Sequence, residues 1–109
     1  MKIITKEIER RLPALCANED KDAANTPVVF KLFNPTGIGT WYITEGNLET
    51  GELFGLCVLH EPELGYVDLN ELLAFKGQFG LGIERDLHWT GSLADAMRIE
   101  GHAMAEGAA

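Results

Sequence analysis

Residues 83–89, with the sequence IERDLHW, place two carboxylates and an imidazole at alternate positions. If this segment is a β-strand, Glu84, Asp86 and His88 share one face, because successive side chains point to opposite faces. Such a row is typical of a metal site, of an acid–base site, or of the solvent-facing side of an edge strand. The opposite face would pack on the core and would consist of Ile83, Leu87 and Trp89, with Arg85 among them.

The spacing of these side chains disfavours a metal site. Alternate strand residues stand about 6.5–7 Å apart, whereas zinc bonds to nitrogen or oxygen are about 2.0–2.2 Å long. Glu84 and His88 therefore cannot easily reach one ion, and a further ligand would have to come from His60 or Asp68. No CxxC, HExxH or DxDxDG motif is present. We expect no metal and no cofactor, and we interpret the row as a solvated edge-strand face.

A second polar group, His60, Glu61 and Glu63, follows the most apolar predicted strand. Loops at strand ends often carry function, and a glutamate could tune the pKa of a histidine base. Neighbouring positions in the sequence do not by themselves bring two side chains into contact, however. Pro62 and Gly65 are typical of a turn, so solvated acids are the simpler interpretation.

Few residues could act as nucleophiles. Ser92, the only serine, has the position of a helix cap, and Cys16 has no histidine near it in the sequence. Residues 77–82, GQFGLG, neither follow a long strand nor open a helix, as a dinucleotide site requires. Cys57 lies in an apolar run and is predicted to be a small core residue. A disulfide between the two cysteines stays open, although a reduced protein is favoured because no signal peptide is recognisable.

The charge is negative and unevenly distributed. The 109 residues carry a net charge of −8, of which residues 1–33 contribute +1 and residues 34–109 contribute −9. A strongly acidic body repels phosphate backbones, so direct nucleic-acid binding is disfavoured and a basic protein partner is favoured. Acidic surfaces also simply keep small proteins in solution, which is the alternative explanation. No apolar run approaches the roughly 20 residues of a membrane helix.

The hydrophobic pattern predicts an α+β fold with a mostly antiparallel sheet of about five strands. An N-terminal helix begins after Thr5 and ends near Arg11, a short inserted helix covers residues 71–76, and a C-terminal helix covers residues 93–100. The strands are predicted at residues 28–33, 40–45, 53–59, 66–68 and 83–89. Strand 53–59 is apolar on both faces and is predicted to be the most buried one. We expect a single domain at residues 1–100 and a flexible C-terminal tail at 101–109.

Three segments resemble a small bacterial family of unknown function: FKLFNP with TWYITE, LFGLCVLHEPELGYVDLNEL, and GLGIERDLHW. The resemblance runs from the IITKEI segment near the N-terminus to Trp89. Members of that family have about a hundred residues and are found largely on plasmids, integrative elements and phages, beside replication, conjugation and antirestriction genes. The resemblance implies a genetic setting, and it implies no catalytic residue.

We therefore predict a small, cytoplasmic, non-enzymatic protein of a mobile element that binds a basic surface of a protein partner, without contacting nucleic acid or membrane. Such a protein could antagonise a host defence nuclease or another nucleic-acid-handling complex by occupying its basic groove. The residues predicted to bind the partner are Glu61, Glu63, Asp68, Glu84, Asp86 and His88. The alternative is a small enzyme or ligand-binding domain using His60, His88 and nearby acids, which would have to converge in a pocket.

Overall fold

Five antiparallel strands form one sheet in a computed structural model that describes residues 2–102. The strands are β1 (Phe30–Phe33), β2 (Thr40–Asn47), β3 (Glu52–Val58), β4 (Pro62–Asp68) and β5 (Glu84–Arg85). Their order across the sheet is β4-β3-β2-β1-β5. The first four strands form a meander, because short connections join antiparallel neighbours, and β5 returns to the free edge of β1.

Local capping interactions define where the three helices begin. They are α1 (Lys6–Arg11), α2 (Leu69–Ala74) and α3 (Leu93–Glu100), with two 3₁₀ turns at Ala23–Asn25 and Gln78–Gly80. The Thr5 hydroxyl accepts a hydrogen bond from the Ile8 N–H at 3.2 Å, and Ser92 forms a capping box with Asp95. The α+β class, the antiparallel sheet and the three predicted helices are therefore confirmed. No helix among residues 2–102 is long and apolar enough to cross a bilayer.

Both faces of the sheet are covered, each by a different set of helices. Ile8 of α1 and Leu69 of α2 join the cluster around Leu32 and Ile43 on the first face. On the second face, Met97 of α3 belongs to the cluster that contains Tyr42. The sheet therefore sits between two apolar layers, as an α+β domain requires.

The most buried strand is β2, so the prediction for residues 53–59 was wrong. All residues from Trp41 to Gly46 are buried, whereas Val58 and Cys57 of β3 are only partly so. The reason is the strand order, because β2 lies at the centre of the sheet and β3 lies one place nearer an edge. An apolar run in the sequence does not report how many strands lie on each side of it.

The bounds of β4 and β5 differ most from those predicted. β4 begins at Pro62, so the turn after β3 is shorter than the sequence suggested and Glu63 lies within a strand. β5 contains only Glu84 and Arg85, and the chain bends after Asp86. Residues 103–109, which make up most of the predicted tail, lie outside the described residues.

A β-bulge in β2 changes which face Glu45 occupies. Ile43 lies opposite Gly55, but Glu45 lies opposite Phe54, with Thr44 as the extra residue between them. Strict alternation would place Glu45 with Ile43 on the first face, in the main core. The bulge instead turns Glu45 to the second face, and Gly46 then contacts Leu53 closely enough that a Cβ there would lie 2.5 Å from the leucine side chain.

Candidate functional site

The side chain of Asp86 forms the turn that ends the short strand β5. Its Oδ1 atom accepts hydrogen bonds from the backbone N–H groups of His88 at 2.8 Å and Trp89 at 3.2 Å. Its Oδ2 atom lies 3.3 Å from Lys31 Nζ. The His88 N–H, together with the ion pair to Lys31, holds the pKa of Asp86 below its ordinary value. Asp86 therefore serves mainly to shape this turn.

The predicted row of Glu84, Asp86 and His88 does not continue as a strand. His88 follows the turn and is exposed, so the alternation holds for Glu84 and Asp86 alone. The predicted burial of Leu87 was wrong, because its side chain is 60% exposed. Trp89 is partly buried against Tyr42, with ring centroids 5.1 Å apart. The cause is the side chain of Asp86, which offers the backbone an alternative to the strand ladder.

The other predicted acids lie along β4, at the opposite edge of the sheet. Glu61 is in the turn before β4, Glu63 lies within it opposite Cys57, and Asp68 ends it and caps α2. All three acids are exposed. Asp68 lies directly opposite Glu52 on β3, an arrangement of like charges that is unfavourable without a cation nearby.

Two apolar side chains are exposed on this same strand. Leu64 is 42% exposed and Tyr66 is 60% exposed. They lie on the second face, since their partners across the strand pair are Leu56 and Phe54. The Tyr66 ring meets the Phe54 ring edge to face, with centroids 5.0 Å apart. We call Leu64, Tyr66, Glu61, Glu63 and Asp68 together the β4 surface.

The six predicted residues therefore form two groups and do not converge. β4 and β5 are the two edges of the sheet, separated by four strand spacings of about 4.8 Å, or about 19 Å in all. His60 lies beside β4 and His88 follows β5, so these two histidines are also far apart. Among residues 2–102, no three histidine, cysteine or carboxylate side chains are placed to hold a metal ion.

A cleft on the second face contains residues that the sequence analysis missed. It encloses about 310 Å³; its polar side includes Asn18, Thr44 and Glu45, and its apolar side includes Phe54, Leu64 and Tyr66. We call it the Glu45 cleft. The sequence did hold one signal, because a glutamate followed by glycine interrupts an otherwise apolar strand, and such a glycine is typical of a bulge.

Glu45 connects the cleft to the segment after α1. Its carboxylate accepts hydrogen bonds from the backbone N–H of Cys16 and from Asn18 Nδ2, the latter at 3.2 Å. Cys16 has φ = +70°, a left-handed conformation that is uncommon for residues other than glycine. The Gly46 N–H also donates to the Pro13 carbonyl at 3.0 Å. These contacts hold the chain after α1 against the bulge.

Both cysteines are free thiols, so the disulfide that the sequence left open does not form. Cys16 is exposed, and Cys57 is partly buried on β3. Burial, together with the nearby Glu63 carboxylate, raises the pKa of the Cys57 thiol. Cys57 is therefore a poor nucleophile in this environment.

Comparison with known proteins identifies the family. A family model described as a protein of unknown function (DUF2958) matches residues 3–105. The chain belongs to this family. No curated protein and no solved structure matches the chain. The DUF2958 match extends beyond Trp89, where the resemblance seen in the sequence ended.

Proposed function

We infer that this DUF2958 protein is a non-enzymatic binding protein that engages a basic protein partner through the β4 surface. The observation that carries this proposal is the exposure of Leu64 and Tyr66 on an edge strand whose own charged side chains are all carboxylates. The alternative, an enzyme or ligand-binding domain, would bring His60, His88 and nearby acids together. His60 shares a cleft with Glu61 and Glu63, but His88 lies at the opposite edge of the sheet.

The apolar part of the β4 surface would provide most of the binding energy. Tyrosine is enriched among the residues that dominate interfaces, because its rigid ring buries a large area and its hydroxyl can form a hydrogen bond. Tyr66 stands beside Leu64 on the same face, two residues along the strand. Contact between both side chains and a partner would remove exposed apolar area from water.

The carboxylates along this edge strand would select a basic partner: Asp68 lies on the same face as Leu64 and Tyr66, and Glu63 lies on the opposite face. Glu61, Glu63 and Asp68 are exposed, and none of them forms an ion pair with another described residue. Charges at the rim of an interface mainly accelerate association and exclude partners of the same sign. A groove built to hold DNA or RNA would match this charge pattern.

The partner we propose is a host defence nuclease or another nucleic-acid-handling protein in the cytoplasm, in line with the mobile-element setting that the family resemblance implies. Glu84 and His88, at the other edge of the sheet, would form a second and smaller contact, together with the outer side of Asp86. This second contact would be reached only by a partner that spans the sheet.

The experiment is affinity capture from the native host, followed by binding measurements with the purified partner. Tyr66→Ser with Leu64→Ser removes the apolar contact, and Glu61→Lys with Glu63→Lys reverses the rim. The matched control is Glu9→Lys with Asp20→Lys, which makes the same change of charge on exposed carboxylates of α1 and the following loop.

We expect the serine pair to weaken binding at least about thirtyfold, since two interface anchors of more than about 1 kcal/mol each are lost. The lysine pair should slow association, and this effect should shrink as salt increases. Normal binding by both pairs, or an equal loss in the Glu9 and Asp20 control, would contradict the proposal.

A further inference from the structure

We propose that the Glu45 cleft receives a cationic side chain, the guanidinium or ammonium group of an arginine or lysine of the protein partner. This inference rests on the proposed function, because the cleft opens beside Leu64 and Tyr66 of the β4 surface. It adds to that function a specific pocket and the chemistry of the group that enters it.

The first supporting observation is a buried charge that no cation neutralises. Glu45 is only 5% exposed, and among residues 2–102 it forms no ion pair. Its two hydrogen-bond donors, the Cys16 N–H and Asn18 Nδ2, are both neutral. A buried carboxylate is costly unless a positive group lies nearby. An incoming cation would supply the missing charge.

The second observation is that this carboxylate can still accept hydrogen bonds. A carboxylate offers about four lone-pair positions on its two oxygens. The Cys16 N–H uses one position on Oε2, and Asn18 Nδ2 uses one on Oε1. A guanidinium has five N–H donors and an ammonium has three, so either group could donate to the remaining positions.

The third observation is the aromatic side of the cleft. Phe54 and Tyr66 stand edge to face, with ring centroids 5.0 Å apart, and Leu64 lies beside them. The apolar stem of a lysine or arginine side chain packs on such a surface, and its cationic end is attracted to aromatic rings. The volume of about 310 Å³ is at the lower end of the range for small-ligand pockets, about 300–1,000 Å³, which suits a single long side chain.

The rim of the cleft does not change this charge preference. Lys21 and Glu19 both line it and both are exposed, so their opposite charges offset each other. The charge that remains inside is that of Glu45. The bulge at Thr44 places this charge in the cleft, because a strand without the bulge would turn Glu45 to the first face, into the main core.

The test uses glycine pentapeptides with one central residue, titrated into the full chain and followed by ¹H–¹⁵N NMR. The central residue is arginine, lysine or citrulline, the last having the shape of arginine without its charge. Free arginine tests the alternative source of the same chemistry. The protein variants are Glu45→Gln and the matched control Glu49→Gln, which removes an exposed carboxylate from the next turn.

We expect the arginine and lysine peptides to shift the amide signals of Cys16, Asn18 and Tyr66 in a saturable manner. Citrulline should bind at least about tenfold more weakly, as the loss of a hydrogen bond between charged groups predicts. Glu45→Gln should cause a similar loss although its amide oxygen can still accept from Cys16, whereas Glu49→Gln should bind normally.

A second variant keeps the test decisive if Glu45→Gln does not fold. Leu64→Lys places a cation at the wall of the cleft on a half-exposed strand position, and it should prevent binding of the arginine peptide while the sheet stays intact. Equal binding of citrulline and arginine, or unchanged binding by the Leu64→Lys variant, would overturn the proposal. Tighter binding of free arginine than of its peptide would overturn the assignment to a partner side chain.

The outcomes separate this inference from the proposed function. If the captured partner binds less tightly when Tyr66 is replaced but binds the Glu45→Gln variant normally, the proposal for the β4 surface is supported and the cleft assignment is overturned. If arginine peptides bind in the cleft but no captured partner loses affinity when Tyr66 and Leu64 are replaced, the proposed function is overturned.

Discussion

Replacing Asp86 separates two interactions that its two carboxylate oxygens make independently. Oδ1 accepts both backbone N–H bonds of the turn, whereas Oδ2 forms the ion pair with Lys31. Asp86→Asn keeps an oxygen for the turn and removes the charge. Asp86→Ala removes both interactions. Comparing the two variants therefore shows which interaction dominates the stability of this segment.

The turn should dominate. Side-chain oxygens that accept backbone N–H groups in comparable caps contribute about 0.5–2 kcal/mol, and a partly exposed ion pair contributes up to about 1 kcal/mol. We therefore expect Asp86→Ala to lower the free energy of unfolding by about 2 kcal/mol and Asp86→Asn by less than about 1 kcal/mol. For a domain of this size, 2 kcal/mol corresponds to about 8 °C in the melting temperature.

The assay is urea unfolding followed by tryptophan fluorescence, with Glu84→Ala as the control on the same strand. The pKa of Asp86 is lower in the folded protein, so its stabilising effect is present above the unfolded pKa of about 3.9 and is lost as the pH falls through the folded value. The difference between wild type and Asp86→Asn should accordingly shrink below about pH 4. An Asn variant as unstable as the Ala variant would refute the reasoning.

Three further measurements test other parts of the structure. Phe79 has φ = +59° and is 94% exposed, so Phe79→Asn should raise the free energy of unfolding by up to about 1 kcal/mol in a thermal melt, because asparagine tolerates this conformation and little packing is lost. Leu87→Ala should change stability by less than about 0.5 kcal/mol, whereas Leu32→Ala, at a fully buried position, should cost about 2–5 kcal/mol; equal losses would contradict the assigned burial. Alkylation at pH 8, followed by mass spectrometry, should modify exposed Cys16 before Cys57, because burial raises the pKa of the Cys57 thiol. The reverse order would contradict the assigned burial of Cys57.

The sequence predicted those features of the fold that short-range interactions determine. Helix starts at Thr5 and Ser92 depend on side chains that reach three residues along the chain, so their patterns are visible in the sequence. The most buried strand was mispredicted because burial depends on strand order, which no single segment contains. The end of β5 was mispredicted because one aspartate side chain, Asp86, redirects an otherwise regular alternation.

The candidate site was less predictable for a related reason. The acids along β4 and β5 were identified by residue type, but their separation follows from strands that lie at opposite edges. Glu45 was not identified because alternation assigns it to the core, and only the bulge reverses that assignment. A polar residue that conflicts with its strand pattern is therefore a useful sign of a site.

The pairing of β5 with β1 has a consequence for how the chain folds. The pairs β1–β2, β2–β3 and β3–β4 each join neighbours along the sequence. By contrast, the pairing of Leu32 in β1 with Arg85 in β5 spans more than fifty intervening positions. Closing so long a loop is entropically costly and yields only two paired residues. We expect the meander to form early and β5 to dock after the rate-limiting step, so that changes at Asp86 accelerate unfolding and leave the refolding rate nearly unchanged.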